Sequence, residues 1–162
     1  MAKKSQEKTN VMRVLEQKKI AYTPHSYPHD DGPVDGITVA GMIERAPESV
    51  FKTLVARGAG KNIYVFVIPV VAELDLKKAA KAVGEKAIAM IHVSEITPIT
   101  GYVRGGCSPI GMKKLFPTVF DDTCLSQETI LVSAGKIGFQ VELSPQALID
   151  LTHGSTADLK TA

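Results

Sequence analysis

The chain has 162 residues, of which 44% are hydrophobic and 22% charged, with a formal net charge of +2 at pH 7. This length suits one domain with one hydrophobic core, and this composition excludes an intrinsically disordered chain. The longest apolar run, Ile63 to Ala72, is too short to cross a bilayer and contains Pro69. The polar N-terminus lacks the features of a secretory signal, so we expect a cytoplasmic protein.

The positive charge is concentrated at the N-terminus. Residues 1 to 19 hold six lysine and arginine side chains against two glutamates, so the rest of the chain is slightly acidic. A basic segment of this kind can contact a phosphate backbone, although a solvated helix face explains it more simply. Charge alone therefore does not predict nucleic-acid binding.

Hydrophobic periodicity predicts a mixture of helices and strands. Apolar runs at Val50 to Ala56 and Asn62 to Ile68 predict adjacent central strands joined by a hairpin-like turn. The other predicted elements are, in chain order, a helix at 9–19, a strand within 20–27, a helix from Ile37 to Arg45, a helix from Leu74 to Val83, strands at Lys86 to Ile91, Val119 to Asp122, Ile130 to Ser133 and Gly138 to Leu143, and a helix from Pro145 to Leu151.

The connections in the middle of the chain are too short for a doubly wound fold. We therefore expect an α/β fold with a mixed, largely antiparallel central sheet flanked by helices. The pattern predicts a single domain over 1–162. Residues 1–8 and 155–162 are polar and unpatterned, so we expect both ends to be frayed.

Lys52 is a charged residue in an otherwise apolar predicted strand. On a strand it shares one face with Leu54 and Ala56, while Thr53 lies on the opposite face. Burial of an unpaired ammonium is costly, so the side chain either extends to an edge of the sheet or enters a polar cavity. The pattern alone leaves both possibilities open.

A glycine-rich segment spans residues 101–111 and contains Gly105, Gly106 and Ser108-Pro109. This density of glycine lets backbone amides approach a ligand or surround an anion, although a tight structural turn produces the same pattern. Neither a P-loop nor a dinucleotide-binding fingerprint is present. Cys107 lies in this segment, and we expect a small buried side chain there rather than a nucleophile.

The sequence indicates neither a metal site nor a covalent catalyst. His25 and His29 are four residues apart, but the flanking prolines disfavour the helix that would bring both to one metal ion. The two cysteines lack CxxC spacing, and no serine or cysteine triad is recognisable. We therefore expect no metal and no cofactor.

Five segments taken together resemble a known family. They are, in chain order, Tyr27-Pro-His-Asp, Val50-Phe-Lys-Thr-Leu-Val, Leu74-Asp-Leu-Lys-Lys-Ala-Ala-Lys-Ala-Val-Gly, Thr100-Gly-Tyr-Val-Arg-Gly-Gly-Cys-Ser-Pro-Ile-Gly and Val132-Ser-Ala-Gly-Lys. From about residue 9 to 152 the chain resembles the YbaK family of aminoacyl-tRNA deacylases, whose domain is similar to the editing insertion of bacterial prolyl-tRNA synthetase. The resemblance implies hydrolysis in trans of mischarged tRNA, chiefly cysteine on proline tRNA. It also implies prolyl-tRNA synthetase as a partner, without DNA or a membrane.

The resemblance assigns roles by position. Lys52 matches an essential lysine that would anchor the 3′-terminal nucleotide, and the amides of Gly105 and Gly106 would stabilise a developing oxyanion. The residues implied in substrate binding are Tyr27, Thr53, Ser108 and Pro109. The substrate's own cysteine thiol would attack the ester carbonyl, so the enzyme would act by orientation and would need no nucleophile of its own.

Gln140 departs from the family pattern, because the family often carries an aspartate there, and we assign it no role. Two alternatives stay open. One is a deacylase that clears alanine or another small amino acid with an activated water. The other is a non-catalytic module that binds tRNA or a synthetase.

Overall fold

In the computed structural model, which describes residues 8–29 and 34–161, five helices pack around two β-sheets. The helices are α1 (Asn10–Gln17), α2 (Gly36–Met42), α3 (Leu76–Val83), α4 (Val93–Thr100) and α5 (Pro145–Thr152). The strands are β1 (Thr23–Ser26), β2 (Phe51–Gly58), β3 (Ile63–Pro69), β4 (Ile88–Met90), β5 (Thr118–Asp121), β6 (Ile130–Ser133), β7 (Phe139–Leu143) and β8 (Ser155–Ala157). None of the described helices has the length and hydrophobicity needed to span a membrane.

The strands are divided between a larger mixed sheet and a smaller antiparallel one. The larger sheet has the order β4-β2-β3-β5-β8, in which β2 is antiparallel to β3 and β4 while the pairs β3-β5 and β5-β8 are parallel. The smaller sheet has the order β1-β7-β6. A parallel bridge between Val50 and Leu131 connects the two sheets. The mixed α/β fold is thus confirmed, although the predicted strands form two sheets rather than one central sheet.

The main core explains this division, because it lies between the two sheets. Phe51 and Phe120 of the larger sheet and Val132 and Val141 of the smaller one belong to the same buried cluster, which also receives α1 and α5. A second buried cluster packs α3 against the larger sheet, and a third packs α2 against residues that include Leu131. Each face of the larger sheet is therefore covered by apolar side chains, as its near-continuous hydrophobic strands require.

The elements with the strongest local signals form as predicted. The hairpin of β2 and β3 pairs Lys52 with Ile68 and Thr53 with Val67. Helix α3 begins after Asp75, whose carboxylate accepts hydrogen bonds from two first-turn amides, and ends at Gly84 with φ +76°. Ser144 caps α5 in the same way, with Pro145 in the first turn.

Two elements differ from the prediction. Helix α4 was not predicted, because it contains Pro98 and its pattern lacks a clear apolar stripe. The expected fraying of residues 155–162 is wrong for residues 155–161. There β8 pairs with β5, and the fully buried Leu159 donates its N–H to Asp121 Oδ1 at 2.9 Å. The fraying expected for residues 1–8 lies outside the described residues except at Lys8, which pairs with Glu16.

Candidate active site

A cavity of about 260 Å³ lies where the start of β2, helix α2 and one face of the smaller sheet meet. Strand alternation shapes its walls. On β7, Val141 and Leu143 face the main core, so Gln140 faces the other side, directly opposite Ser133 of β6. The polar and charged side chains that line the cavity are Tyr27, Lys52, Thr53, Arg104, Ser133 and Gln140.

The cavity brings together four of the residues predicted from the sequence. Tyr27, Lys52, Thr53 and Gly105 all line it, although they come from three separate segments of the chain. Gly106, Ser108 and Pro109 do not belong to its lining among the described residues, and all three are buried. The cavity therefore brings together part of the set expected from the sequence, and the rest of the glycine-rich loop lies outside its described lining.

Lys52 lines this cavity and is half-buried. Its ammonium makes no hydrogen bond or ion pair with any residue of 8–29 or 34–161. Arg104 is the other charged residue in the described lining and is likewise unpaired within these ranges, and no carboxylate belongs to that lining. A half-buried cation without a partner favours a negatively charged or strongly polar ligand in the cavity.

The glycine-rich loop is held by an internal hydrogen bond, by a hydrogen bond from helix α4 and by close packing against residues 136–137. The Tyr102 hydroxyl donates to the Ile110 carbonyl, and Thr97 Oγ1 donates to the Tyr102 carbonyl at 2.9 Å. A Cβ on Gly106 would lie 3.1–3.2 Å from backbone atoms of Lys136 and Ile137, so only glycine permits this contact between loops without displacement. The loop is thus preorganised at the cavity.

The two predicted oxyanion donors differ. The Gly106 N–H donates to the Val103 carbonyl at 3.0 Å and is not free to bind a ligand. Gly105, with φ +87°, has no hydrogen bond for its N–H among the described residues. Of these two residues, only Gly105 therefore has an N–H without a partner among the described residues.

Ser108 and Pro109 are buried in the loop, outside the described lining of the cavity. Ser108 is fully buried, and its Oγ accepts a hydrogen bond from the Ile110 N–H at 3.3 Å. This is a local turn interaction of the kind that stabilises loops. The contact with substrate expected for these two residues is not supported by their positions.

Cys107 lines the cavity as a half-buried thiol. Burial raises its pKa to about 11, and a hydrogen bond from Thr100 only partly opposes this effect. Cys107 is therefore protonated at neutral pH, which suits the expected structural role and not that of a nucleophile. The pKa of Cys124 is also raised to about 11, by burial first and then by Asp121 and Asp122.

Two buried side-chain oxygens in the cavity wall have no hydrogen-bond partner among the described residues. They are Thr53 Oγ1 and Gln140 Oε1, and the Gln140 side chain belongs to a residue that is only 7% exposed. Sequence reasoning gave Gln140 no role, although alternation along β7 places it opposite the core. Ile96 was also missed, because it lies on the unpredicted helix α4.

His25 belongs to a structural network. Its Nε2 lies 2.8 Å from Glu142 Oε1, which also accepts from Arg45 Nη2 at 3.2 Å. No group of three or more histidine, cysteine, aspartate or glutamate side chains in the described ranges has the geometry of a metal site.

The fold thus forms a small cavity whose lining includes two cations and a backbone amide that have no partner among the described residues. Residues 37–151 match the family model of the aminoacyl-tRNA editing domain, and the chain belongs to that family. The resemblance seen in the sequence is thereby confirmed.

The chain is also similar to individual known proteins and to solved structures. The chain is 45% identical over 159 residues, 98% of its length, to a protein of Enterococcus faecalis named as a candidate Cys-tRNA(Pro)/Cys-tRNA(Cys) deacylase, EbsC, of which the match covers 97%. Its fold is similar to a solved structure described as a candidate trans-editing enzyme for prolyl tRNA synthetase, with a TM-score of 0.81, 23% identity and coverage of 96% of this chain and 99% of that one. Another solved structure, of a hypothetical protein, gives a TM-score of 0.84 at 20% identity, covering 94% and 100%. Family and relatives together indicate a deacylase of the editing class.

Proposed function

We propose that this protein hydrolyses mischarged aminoacyl-tRNA in trans, with cysteinyl-tRNA(Pro) as its preferred substrate. The observation that carries this proposal is that Gly105 and Lys52, whose ammonium has no partner among the described residues, line the same cavity of about 260 Å³. Pockets for drug-sized ligands are roughly 300–1,000 Å³. A smaller cavity suits an aminoacyl group, with the terminal nucleotide at its mouth.

Three groups that line the cavity have roles in the reaction. The Lys52 ammonium binds the phosphate or ribose of the terminal nucleotide, and Arg104 adds a second positive charge at the mouth. The Gly105 N–H donates to the ester carbonyl oxygen as negative charge develops on it. All three groups act on the acceptor end that is common to all aminoacyl-tRNAs.

The substrate supplies the nucleophile in this mechanism. The cysteine sulfur forms a bond to its own ester carbonyl carbon, the bond from that carbon to the ribose oxygen breaks, and the thiol proton passes to the departing oxygen. The products are free tRNA and a cyclic thioester, which water then hydrolyses. The cavity contributes by holding the thiol close to the carbonyl and excluding water, which can supply much of the rate.

We also propose prolyl-tRNA synthetase as the partner and the cytoplasm as the compartment. A synthetase site that accepts proline discriminates weakly against another small residue, so mischarged tRNA arises where the synthetase works. The name of the structural relative, which refers to prolyl tRNA synthetase, supports this pairing. Co-sedimentation with the synthetase, with and without tRNA, tests it.

The function is tested by replacing Lys52 with methionine, which keeps the length of the side chain and removes its charge. Single-turnover hydrolysis of cysteinyl-tRNA(Pro) should slow on the order of a hundredfold or more, because the variant loses an anchor that also positions the ester. Lys86→Met, at an exposed lysine outside the described lining of the cavity, is the matched control and should stay within about twofold of wild type.

Two results would contradict the proposal. One is wild-type turnover by a Lys52→Met protein whose circular dichroism melt shows that it is folded. The other is a wild-type protein that binds charged tRNA without hydrolysing it, which is the behaviour of a non-catalytic module. Alanyl-tRNA in the same assay separates the water-dependent alternative, since alanine has no thiol.

A further inference from the structure

The two unpartnered acceptors in the cavity wall are unusual for a folded protein. Thr53 Oγ1 on β2 and Gln140 Oε1 on β7 are both buried, and neither has a hydrogen-bond partner in the part of the chain that the structure describes. Most buried polar groups are paired, because leaving one unpaired costs the free energy of its desolvation. Both residues line the same cavity, so a ligand that enters it can supply the missing donors.

The neighbours of Gln140 make contacts elsewhere. Ser133, opposite Gln140 in the strand register, accepts the Gly135 N–H at its Oγ at 3.1 Å. His25, its register partner on β1, lies 2.8 Å from Glu142 through Nε2. Neither neighbour hydrogen-bonds to Gln140 Oε1, which has no donor among the described residues.

The aminoacyl end of a charged tRNA carries one group that fits two acceptors. Its free α-amino group has several N–H donors and lies next to the ester carbonyl in every amino acid. A thiol, in contrast, is a single weak donor. The last side-chain torsion of glutamine is broad, so rotation of the amide can turn Oε1 towards a bound amino group.

We propose that Gln140, together with Thr53, recognises the free α-amino group of the aminoacyl ester. An acyl group on that nitrogen removes donors and adds bulk beside a buried wall, so N-acylated esters are poor substrates. The site then clears single amino acids and spares tRNA that carries a formylated or peptidyl group. This inference rests on the proposed deacylase function.

The test compares cysteinyl-tRNA(Pro) with N-acetylcysteinyl-tRNA(Pro) in single-turnover hydrolysis. Wild type should cleave the free form at least about tenfold faster, the effect of roughly one hydrogen bond or more. Gln140→Met keeps the length of the side chain and removes the acceptor. It should slow the free form about tenfold and leave the acetylated form unchanged, so the ratio of the two rates falls towards one.

Gln140→Glu is the matched variant, because it keeps acceptor oxygens at the same distance from the backbone and should retain the preference for the free form. Thr53→Val, of nearly the same shape, should lower the ratio as Gln140→Met does. It provides a second test if Gln140→Met fails to fold. Gln140→Met should melt no lower than wild type, since it loses no internal hydrogen bond of Oε1.

Equal rates for the two substrates in wild type would overturn the inference. So would an equal slowing of both by Gln140→Met, which would mean that the side chain holds the thiol or only shapes the cavity. If the acetylated form is cleaved too slowly to measure, an equal loss in Gln140→Met and Gln140→Glu overturns it instead. The comparison of free and N-acetylated esters is repeated with alanyl-tRNA. If cysteinyl-tRNA is not cleaved but free alanyl-tRNA is preferred over its acetylated form, the proposed substrate is wrong and amino-group recognition stands.

Discussion

Two cations on the same strand show how individual residues divide between structure and ligand binding. Arg57, near the end of β2, donates to both carboxylate oxygens of Glu95, at 3.3 and 2.9 Å, and its hydrogen bond holds the pKa of Glu95 below the usual range. Lys52, near the start of the strand, has no such partner among the described residues. Arg57 therefore ties α4 to the larger sheet, while the charge of Lys52 is left for a ligand.

Cys107 provides a prediction about the nucleophile. Because its thiol is protonated at neutral pH and the substrate supplies the attacking sulfur, Cys107→Ser should hydrolyse cysteinyl-tRNA(Pro) within about threefold of wild type. Loss of a true nucleophile usually costs several orders of magnitude. A loss of that size would show that Cys107 attacks the ester.

Alkylation of Cys107 should also be slow at pH 7 and accelerate as the pH rises towards its pKa of about 11.

At the scale of elements, Glu142 joins the segments that enclose the cavity. Its carboxylate accepts from Thr129 Oγ1 at 2.6 Å and from Arg45, which follows α2, and it contacts His25 of β1. Burial raises the pKa of Glu142, but the hydrogen bonds from Thr129, His25 and Arg45 outweigh it and leave the pKa below its usual value. The ionised carboxylate therefore holds three segments around β7.

Glu142→Gln should lower the free energy of unfolding at pH 7 by about 1 kcal/mol, since its partners are partly exposed. A carboxyl whose pKa is lowered by folding stabilises the protein fully above its unfolded pKa, near 4.5, and loses this contribution as the pH falls through the folded value. The difference between variant and wild type should therefore shrink at about pH 3. Urea unfolding at both pH values measures it, with the exposed Glu48→Gln as control. A difference that persists unchanged at about pH 3 would exclude the charge as its source.

The C-terminal segment gives a second prediction at this scale. Leu159 is fully buried in the cluster between α3 and the larger sheet, so Leu159→Ala should lower the free energy of unfolding by about 2–5 kcal/mol. Leu125→Ala, at a leucine that is 56% exposed, should change it by less than about 0.5 kcal/mol. Equal stabilities of the two variants in urea would show that the segment does not belong to the folded core.

For the whole molecule, the small net charge means that binding of tRNA depends on a few placed cations. Affinity should fall as ionic strength rises, with a log-log slope on the order of −2 to −4 for a few phosphate contacts. Arg104→Gln should reduce the magnitude of this slope by roughly one, the effect of one phosphate contact. Fluorescence anisotropy with labelled tRNA over a salt series measures both slopes. A flat response in wild type would remove phosphate contacts from the mechanism.

The sequence by itself determined the elements whose signals are local. The hairpin of β2 and β3 follows from two apolar runs around a glycine-containing turn, and α3 follows from its apolar stripe and from Gly84. Lys52 was also recognisable as a candidate site residue, because a charged side chain between apolar neighbours is unusual in a buried strand. These features depend on residues close together in the chain, so a single sequence contains their physical basis.

The tertiary structure alone decided what distant segments do to one another. Nothing local to 155–161 shows that β8 completes the larger sheet, because the partner strand β5 lies more than thirty residues earlier. The hydrogen bond that occupies the Gly106 N–H, to the Val103 carbonyl, depends on how the glycine-rich loop folds. The unpaired state of Gln140 depends on which donors β1 and β6 bring beside β7. The cavity is formed by segments that are distant in the sequence. Whether a buried polar group there finds a hydrogen-bond partner is therefore decided only when every neighbouring element is in place.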